Sequence, residues 1–387
     1  MPLIILADDL TGAADCAARC HAAGIAATIT LPGARIHESG TICCTTDSRH
    51  LPADLAAQRV RELAAGMGEQ AGGTWYKKID STLRGHVGQE LDALLDTLGR
   101  SCALVCPAFP AQRRGLVDGY LVIEPALAPP LHLPTLLAHQ SQRVVGAIGL
   151  EDVRGGKNQL AERLLAQRAR GAELLVIDSL DETDLQIVLD AALHVFPDAL
   201  LCGSAGLAGT LATHAARQSN LHSEAPAFPV EGSALIVIGS GSAMAQRQIA
   251  YMRQHQLVAA FEHPAVLPTN AAGDILLHLA APSPGTAMDG PEARRLAAQL
   301  AVAAQPLIDA TRPGLLVLSG GDTAISVLAR LGVTHLLVQR ELLPGVPLTN
   351  AVDAAGRTHT IVLKAGNHGD EAALATVLAR ARSHGQY

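Results

Sequence analysis

Two adjacent aspartates, Asp8 and Asp9, follow the apolar run Leu3–Ala7 and precede Thr-Gly and an alanine-rich stretch. Carboxylates at a strand-to-helix turn cap the helix and complement its dipole. One aspartate satisfies that role, so the second is left at the carboxyl edge of the sheet, where it can hold a ligand or accept a proton. Capping and ligand chemistry both remain open at this point.

A second strand end is equally polar. WYKKIDSTLRGHVG, residues 75–88, supplies Lys77, Lys78, Asp80, Ser81, Thr82, Arg84 and His86. Helix capping by Asp80 or Ser81 needs neither the lysines nor the arginine. Strand alternation sends Lys77 and Lys78 to opposite faces, so only one of them is expected to meet a ligand. Cations and hydroxyls together suit a small acid bearing carboxylate and hydroxyl groups. A third strand end, TTDSRH at 45–50, adds Asp47, Ser48 and Arg49.

The later half changes character. IGSGSA (238–243), SGGDTA (319–324) and LKAGNHGD (363–370) end apolar runs with glycine and serine. Glycines let the backbone approach a ligand, and amides at a helix start bind anions, as nucleotide phosphates require. Tight strand-to-helix turns also favour these residues, and CGSAG at 202–206 reads equally well as a turn.

These residues need a scaffold. The chain has 387 residues, 49% of them hydrophobic and 17% charged, which is enough apolar material for a large core and too little charge for disorder. At roughly 150 residues per domain, two domains are expected. Aromatics make up only 2%, so small aliphatic side chains must fill the interior, which suits helices layered on a sheet.

Candidate strands are Leu3–Ala7, Thr41–Thr46, Thr74–Ile79, Cys102–Pro107, Leu174–Asp178 and Ala199–Cys202, then Leu235–Ile238, Val258–Phe261, Leu315–Leu318, Leu336–Val338 and Thr360–Leu363. Most are apolar throughout, as strands buried on both faces of a parallel sheet are. The expected fold is α/β with two domains, each a mainly parallel sheet covered by helices, and a ligand cleft between them. The polar, proline-bearing stretch 217–233 reads as a linker between domains at 1–216 and 234–387, and residues 123–134 read as a proline-rich surface loop.

The net charge of −7 argues against nucleic acid as the main ligand. Seven cysteines in CxxxC and isolated positions read as reduced, buried thiols of a cytoplasmic protein rather than as zinc ligands. No signal peptide or spanning helix is expected. An α/β surface of this kind could support a homodimer. Gly239 and Gly241 could open a dinucleotide fingerprint, with Glu262 as the ribose acid, but Met244 stands where a third small residue belongs. Around Gly156-Lys157, Asn158 and Glu151 break the Walker pattern.

Taken in order, ADDLTGA, KKIDSTLRG, CPAFP, GSAGLA, GSGS, SGGDTA and LKAGNHG resemble the four-carbon acid sugar kinase family along nearly the whole chain. The resemblance implies an N-terminal domain that binds a sugar acid and a C-terminal domain that binds ATP. It also implies phosphorylation of the terminal hydroxyl of D-threonate, D-erythronate or 3-oxo-tetronate, with D-threonate the first expectation.

Matched motif by motif, Asp8 and Asp9 correspond to the family's opening carboxylates, and Arg49 to a substrate-binding arginine. Lys78, Ile79, Asp80 and Ser81 fall in the segment lining the acid site, with Lys77 and Arg84 beside them. For the nucleotide, Ser240, Gly241 and Ser242 match the first turn, Gly320, Gly321, Asp322 and Thr323 the phosphate-facing turn, and Gly366 and Asn367 the last. On this reading Arg49 and one of Lys77 and Lys78 hold the carboxylate, Asp9 or Asp8 accepts the hydroxyl proton, the glycine turns hold ATP, and Mg²⁺ bridges its phosphates.

The sequence departs from the family at His86, often asparagine, at AQRRGLVDG (111–119), which lacks the usual Gly-Arg-Thr, and at Asp322, commonly glutamate. A nicotinamide-dependent dehydrogenase of a small hydroxy acid and a non-catalytic sugar-acid-binding protein are the alternative readings.

Overall fold

A computed structural model of the chain describes residues 3–35, 40–67, 73–124, 130–219, 229–264, 273–281 and 290–383. The elements in chain order are β1 (Leu3–Ala7), α1 (Leu10–Ala22), β2 (Ala27–Thr30), β3 (Thr41–Thr45), α2 (Ala53–Gly66), β4 (Thr74–Lys78), α3 (Val87–Leu98), β5 (Ala103–Cys106), β6 (Arg114–Val117), β7 (Tyr120–Ile123), α4 (Leu133–Gln140), β8 (Val145–Ile148), α5 (Leu150–Arg154), α6 (Lys157–Ala169), β9 (Leu174–Ile177), α7 (Glu182–Val195), β10 (Leu200–Gly203) and α8 (Ala205–Ser219). They continue with β11 (Ala234–Ile238), α9 (Ala243–Gln254), β12 (Ala259–His263), β13 (Ile275–Leu279), α10 (Gly290–Thr311), β14 (Leu315–Ser319), α11 (Gly321–Leu331), β15 (His335–Leu343), β16 (Val346–Val352), β17 (Thr358–Lys364) and α12 (Ala373–Arg382).

The chain divides into two compact units, residues 1–26 with 36–222, and residues 27–35 with 223–387. The first unit carries the parallel strands β3-β1-β4-β10-β5-β9-β8 in that spatial order. From β1 the chain adds β3 on one side and then β4 on the other. The carboxyl end of β1 is therefore a switch point, where crevices open in such sheets. Ile4, Leu6, Trp75, Val105 and Val176 form the core on the face that α3 covers through Leu91, Leu94 and Leu95.

The second unit carries the parallel strands β12-β13-β11-β14-β17, extended by the antiparallel strands β16, β15 and β2. Its switch point is β11, flanked by β13 and β14. Ile236, Val317 and Val362 pack with Ile249 and Met252 of α9 and with Val377 and Leu378 of α12. Strand β2 joins this unit although it follows α1 in sequence.

All seven cysteines are buried thiols. Burial pushes Cys106 and Cys202 up to about 12, which keeps them protonated. Of the segment read as a linker, residues 220–228 lie outside the described residues, as do 125–129 of the proline-rich stretch. No helix among the described residues is long and apolar enough to cross a membrane.

Candidate functional site

In the first unit, β3, β1 and β4 lie side by side, and each ends in polar residues. Asp9 is the N-cap of α1 and accepts from the Gly12 amide at 2.8 Å and from Thr11 Oγ1 at 2.6 Å. Asp8 is not the cap, and it is not free. The Arg49 guanidinium grips both carboxylates: Nε and Nη2 donate to Asp8 at 2.7 and 2.8 Å, and Nη1 and Nη2 donate to Asp9 at 2.8 and 2.7 Å. Four of the contacts an arginine fork can make are thus spent on the acidic pair. Burial alone would raise the Asp8 carboxyl, but Arg49, helped by Lys77 and Lys78, holds it below its ordinary range. Asp9 is the more accessible partner, its side chain 15% exposed against 5% for Asp8.

The two lysines part as alternation requires. Lys77 turns to α3, where its Nζ lies 2.7 Å from Glu90 Oε2; Ser48 Oγ donates to Glu90 Oε1 at 2.6 Å. Burial opposes the Lys77 charge, but Glu90 and Asp8 more than compensate, so its pKa is raised. Lys78 turns the other way, against Gly12 of α1, and its Nζ donates to the Ile79 carbonyl at 3.0 Å. Among the described residues no carboxylate pairs with it.

Around Lys78 the next turn folds back on itself. Asp80 accepts from Arg84 Nε and Thr82 Oγ1, both at 2.5 Å. Burial would raise Asp80, but Arg49 and Arg84 hold it well below its ordinary range. Ser81 Oγ accepts from Arg114 Nη1, while Arg114 Nε is buried with no partner among the described residues. Ile79 is buried, and its amide donates to Gly203. His86 Nε2 pairs with the Leu51 carbonyl at 2.6 Å. On α1, burial pushes the Asp15 carboxyl up to about 8 against the pull of Lys78.

The fourth glycine turn, at 202–206, is structural. Ser204 Oγ donates to the Ala108 carbonyl at 2.6 Å, and Tyr76 Oη donates to the Ser204 carbonyl at 2.6 Å.

In the second unit, the three glycine turns leave neighbouring strands. Ile238 of β11 is the register partner of Ser319 on β14, which is in turn the partner of Lys364 on β17. The turns at 239–242, 320–323 and 365–367 therefore start side by side. Ser242 caps α9, accepting from Ala245 at 3.1 Å, and donates to the Gly366 carbonyl at 2.9 Å. A Cβ at Gly366 would overlap Ser240 Oγ, so only glycine fits there. The Gly320 amide donates to the Lys364 carbonyl at 2.9 Å, and Asp322 lies 3.5 Å from Arg294. Thr323 is buried; Gly241, Gly321 and Asn367 are partly or fully open.

A dinucleotide reading does not fit this topology. The ribose acid must sit on the strand next to the glycine turn, but Glu262 lies on β12, separated from β11 by β13.

Of the residues expected at the site, the structure gathers Asp8, Asp9 and Arg49 with Lys78 nearby and turns Lys77 to Glu90; Glu90, Asp15, Arg114 and Lys364 were passed over. Lys364 and Arg114 sit inside the quoted glycine-turn and AQRRG stretches. Glu90 and Asp15 lie within amphipathic helices and carry no local signal.

Two family models match the chain. One, described as a sugar-binding N-terminal domain, covers residues 3–211, and the other, a nucleotide-binding C-terminal domain, covers residues 269–374. A D-threonate kinase of Cupriavidus necator is 32% identical over 97% of this chain and 96% of its own. A 3-oxo-tetronate kinase of Methylobacterium radiotolerans is 30% identical over 94% of this chain and 95% of its own. A crystal structure from Salmonella typhimurium LT2, described as a putative tRNA synthase, matches with a TM-score of 0.78 at 24% identity, covering all of both chains, and supports the fold.

Proposed function

The chain belongs to the four-carbon acid sugar kinase family, and on that premise we propose that it transfers the γ-phosphoryl group of ATP to the terminal hydroxyl of a four-carbon sugar acid. D-Threonate is the first substrate proposed, and D-erythronate or 3-oxo-tetronate come next. The observation that carries the reading is the side-by-side placement, at the β1 switch point, of the Asp9 carboxylate and the Lys78 ammonium, which pairs with no carboxylate among the described residues. The pair offers a cation for an acid and a base for a hydroxyl.

Phosphoryl transfer asks the protein for alignment, charge neutralisation and a proton acceptor. Lys78 holds the substrate carboxylate. Arg114, with its orphaned Nε, supplies a second donor to it, and Ser81 and Asp80 bind hydroxyls. Asp9, the more exposed of the pair, accepts the proton of the attacking hydroxyl. Asp8 keeps Arg49 in place, and Arg49 fixes the Asp9 carboxylate in turn. The amides and hydroxyls of 240–242, 320–323 and 366–367 bind the donor phosphates, as glycine turns at helix starts do.

No cluster of three metal-binding side chains occurs among the described residues. The donors at the turns, Asp322 with Ser240 and Ser242, fit Mg²⁺ carried mainly by the nucleotide's phosphates. When bound, the ion offsets charge on the β- and γ-phosphates.

The test is ADP release with ATP, Mg²⁺ and a panel of four-carbon sugar acids. Acid-dependent release that falls at least ~10²-fold in kcat for Asp9→Asn supports the reading. Tight acid binding with no ADP release for any acid would replace it with a binding protein.

A further inference from the structure

Lys364 ends β17 in the second unit and is 1% exposed. Its Nζ donates to the Ala365 carbonyl at 3.0 Å, and among the described residues no carboxylate pairs with it. Burial pulls the ammonium down to about 7, and no acidic group among the described residues offsets that pull. An uncompensated buried cation is costly to a fold and is kept where something needs it.

The surroundings say what that is. Lys364 lies two residues beyond Val362, and Ser319 two beyond Val317. Strand alternation thus puts both on the sheet face that packs against α9 and α12. They are register partners on adjacent strands, and Ser319 Oγ is buried with no hydrogen-bond partner among the described residues. An ammonium without a carboxylate partner and a hydroxyl without a hydrogen-bond partner among the described residues therefore lie on neighbouring strand ends. The turns at 239–242, 320–323 and 365–367 start immediately beyond them. The Ser242 cap is tied to this same strand end through Gly366.

We infer that Lys364 is the phosphate-binding cation of the second unit, meeting the polyphosphate of the donor nucleotide with Ser319 Oγ as a neighbouring donor. The inference rests on the nucleotide reading given above. Lys364 serves there as a point charge on a flexible stem, the form in which lysine usually binds phosphate. No carboxylate among the described residues balances its charge, and the donor phosphates supply a counter-ion.

The test compares ATP and adenosine binding, by calorimetry or competition, in the wild type, Lys364→Met and Lys364→Arg, together with thermal melts. The methionine variant is expected to lose ~10- to 100-fold in ATP affinity, the scale of a charge-assisted contact, with adenosine binding unchanged. It is also expected to melt at or above the wild-type temperature, because a buried unpaired charge has been removed; arginine should recover part of the ATP affinity. A methionine variant that melts lower, fails to fold, or loses ATP and adenosine equally shows a structural lysine and overturns the inference. Wild-type protein that binds ATP while the methionine variant binds it equally well overturns the Lys364 assignment alone. Wild-type protein that binds no ATP overturns the nucleotide reading as well.

Discussion

Lys77 and Lys78 are consecutive residues of one strand, yet the first is locked to Glu90 at 2.7 Å and the second, among the described residues, has only a backbone carbonyl as partner. Both are buried, at 0% and 3% exposure, so solvent accounts for neither. The difference divides their roles between fold and ligand.

That division is measurable. Lys77→Met leaves the Glu90 carboxylate buried and unpaired, a change that costs ~3–5 kcal/mol in other proteins. Its urea midpoint should fall steeply, and Lys77→Met combined with Glu90→Leu should recover most of the loss. Lys78→Met should melt close to the wild type and raise KM for the sugar acid ~10-fold or more, leaving KM for ATP alone. Equal stability losses in the two single variants would contradict the assignment.

Much of this site could be read from the chain because the signals are local. An apolar run broken by Asp8-Asp9 marks a strand end, and β1 spans the expected Leu3–Ala7. Alternation along 74–78 sends the two lysines apart. The glycine turns announce themselves by composition.

What could not be read depends on distant packing. Glu90 selects Lys77 only because α3 crosses that face of the sheet. Strand β2 is four residues long and pairs with β15, some 300 positions later, so no local pattern marks it. Strand β16, VPLTNAV, is interrupted by Pro347 and Asn350, which ordinarily argue against a strand. Leu336–Val338, read as a short strand, is part of the longer, antiparallel β15, whose exposed Leu337 alternates with buried neighbours.

Asp15 links the site to pH. Its carboxyl is pushed by burial from an ordinary 3.8 up to about 8, against Lys78, Arg114 and Arg49 and with Asp9 adding to the rise. The folded protein thus keeps a proton that the unfolded chain releases. That contribution to stability is full below about pH 4 and is lost as pH rises towards about 8. Urea midpoints between pH 5 and 8.5 should therefore decline less in Asp15→Asn, which carries no proton to lose, than in the wild type. Parallel declines would mean that Asp15 is ionised throughout that range. The carboxylates held low, Asp8 and Asp80, act with the opposite sign and only in acid, so they do not blur this window.

Gly12 tests whether the spacing of base and cation matters apart from the fold. It lies in α1, where a Cβ would come within 2.9 Å of both Asp9 Oδ1 and Lys78 Nζ. Arg49, Thr11 and the Gly12 amide hold the Asp9 carboxylate, so the Lys78 ammonium on its flexible stem is the group that swings aside, and alanine is ~1 kcal/mol better than glycine inside a helix. Gly12→Ala should therefore melt within a few degrees of the wild type. Its effect should fall on the ligand, because the methyl group wedges apart the two groups that flank the acceptor. We expect kcat/KM for the sugar acid to drop ~10²-fold, the scale of a misplacement near 1 Å, with ATP affinity in the second unit unchanged. A variant with normal kinetics would show that the Asp9–Lys78 spacing does not set the acceptor geometry, and the acid site would have to be sought elsewhere along the strand ends.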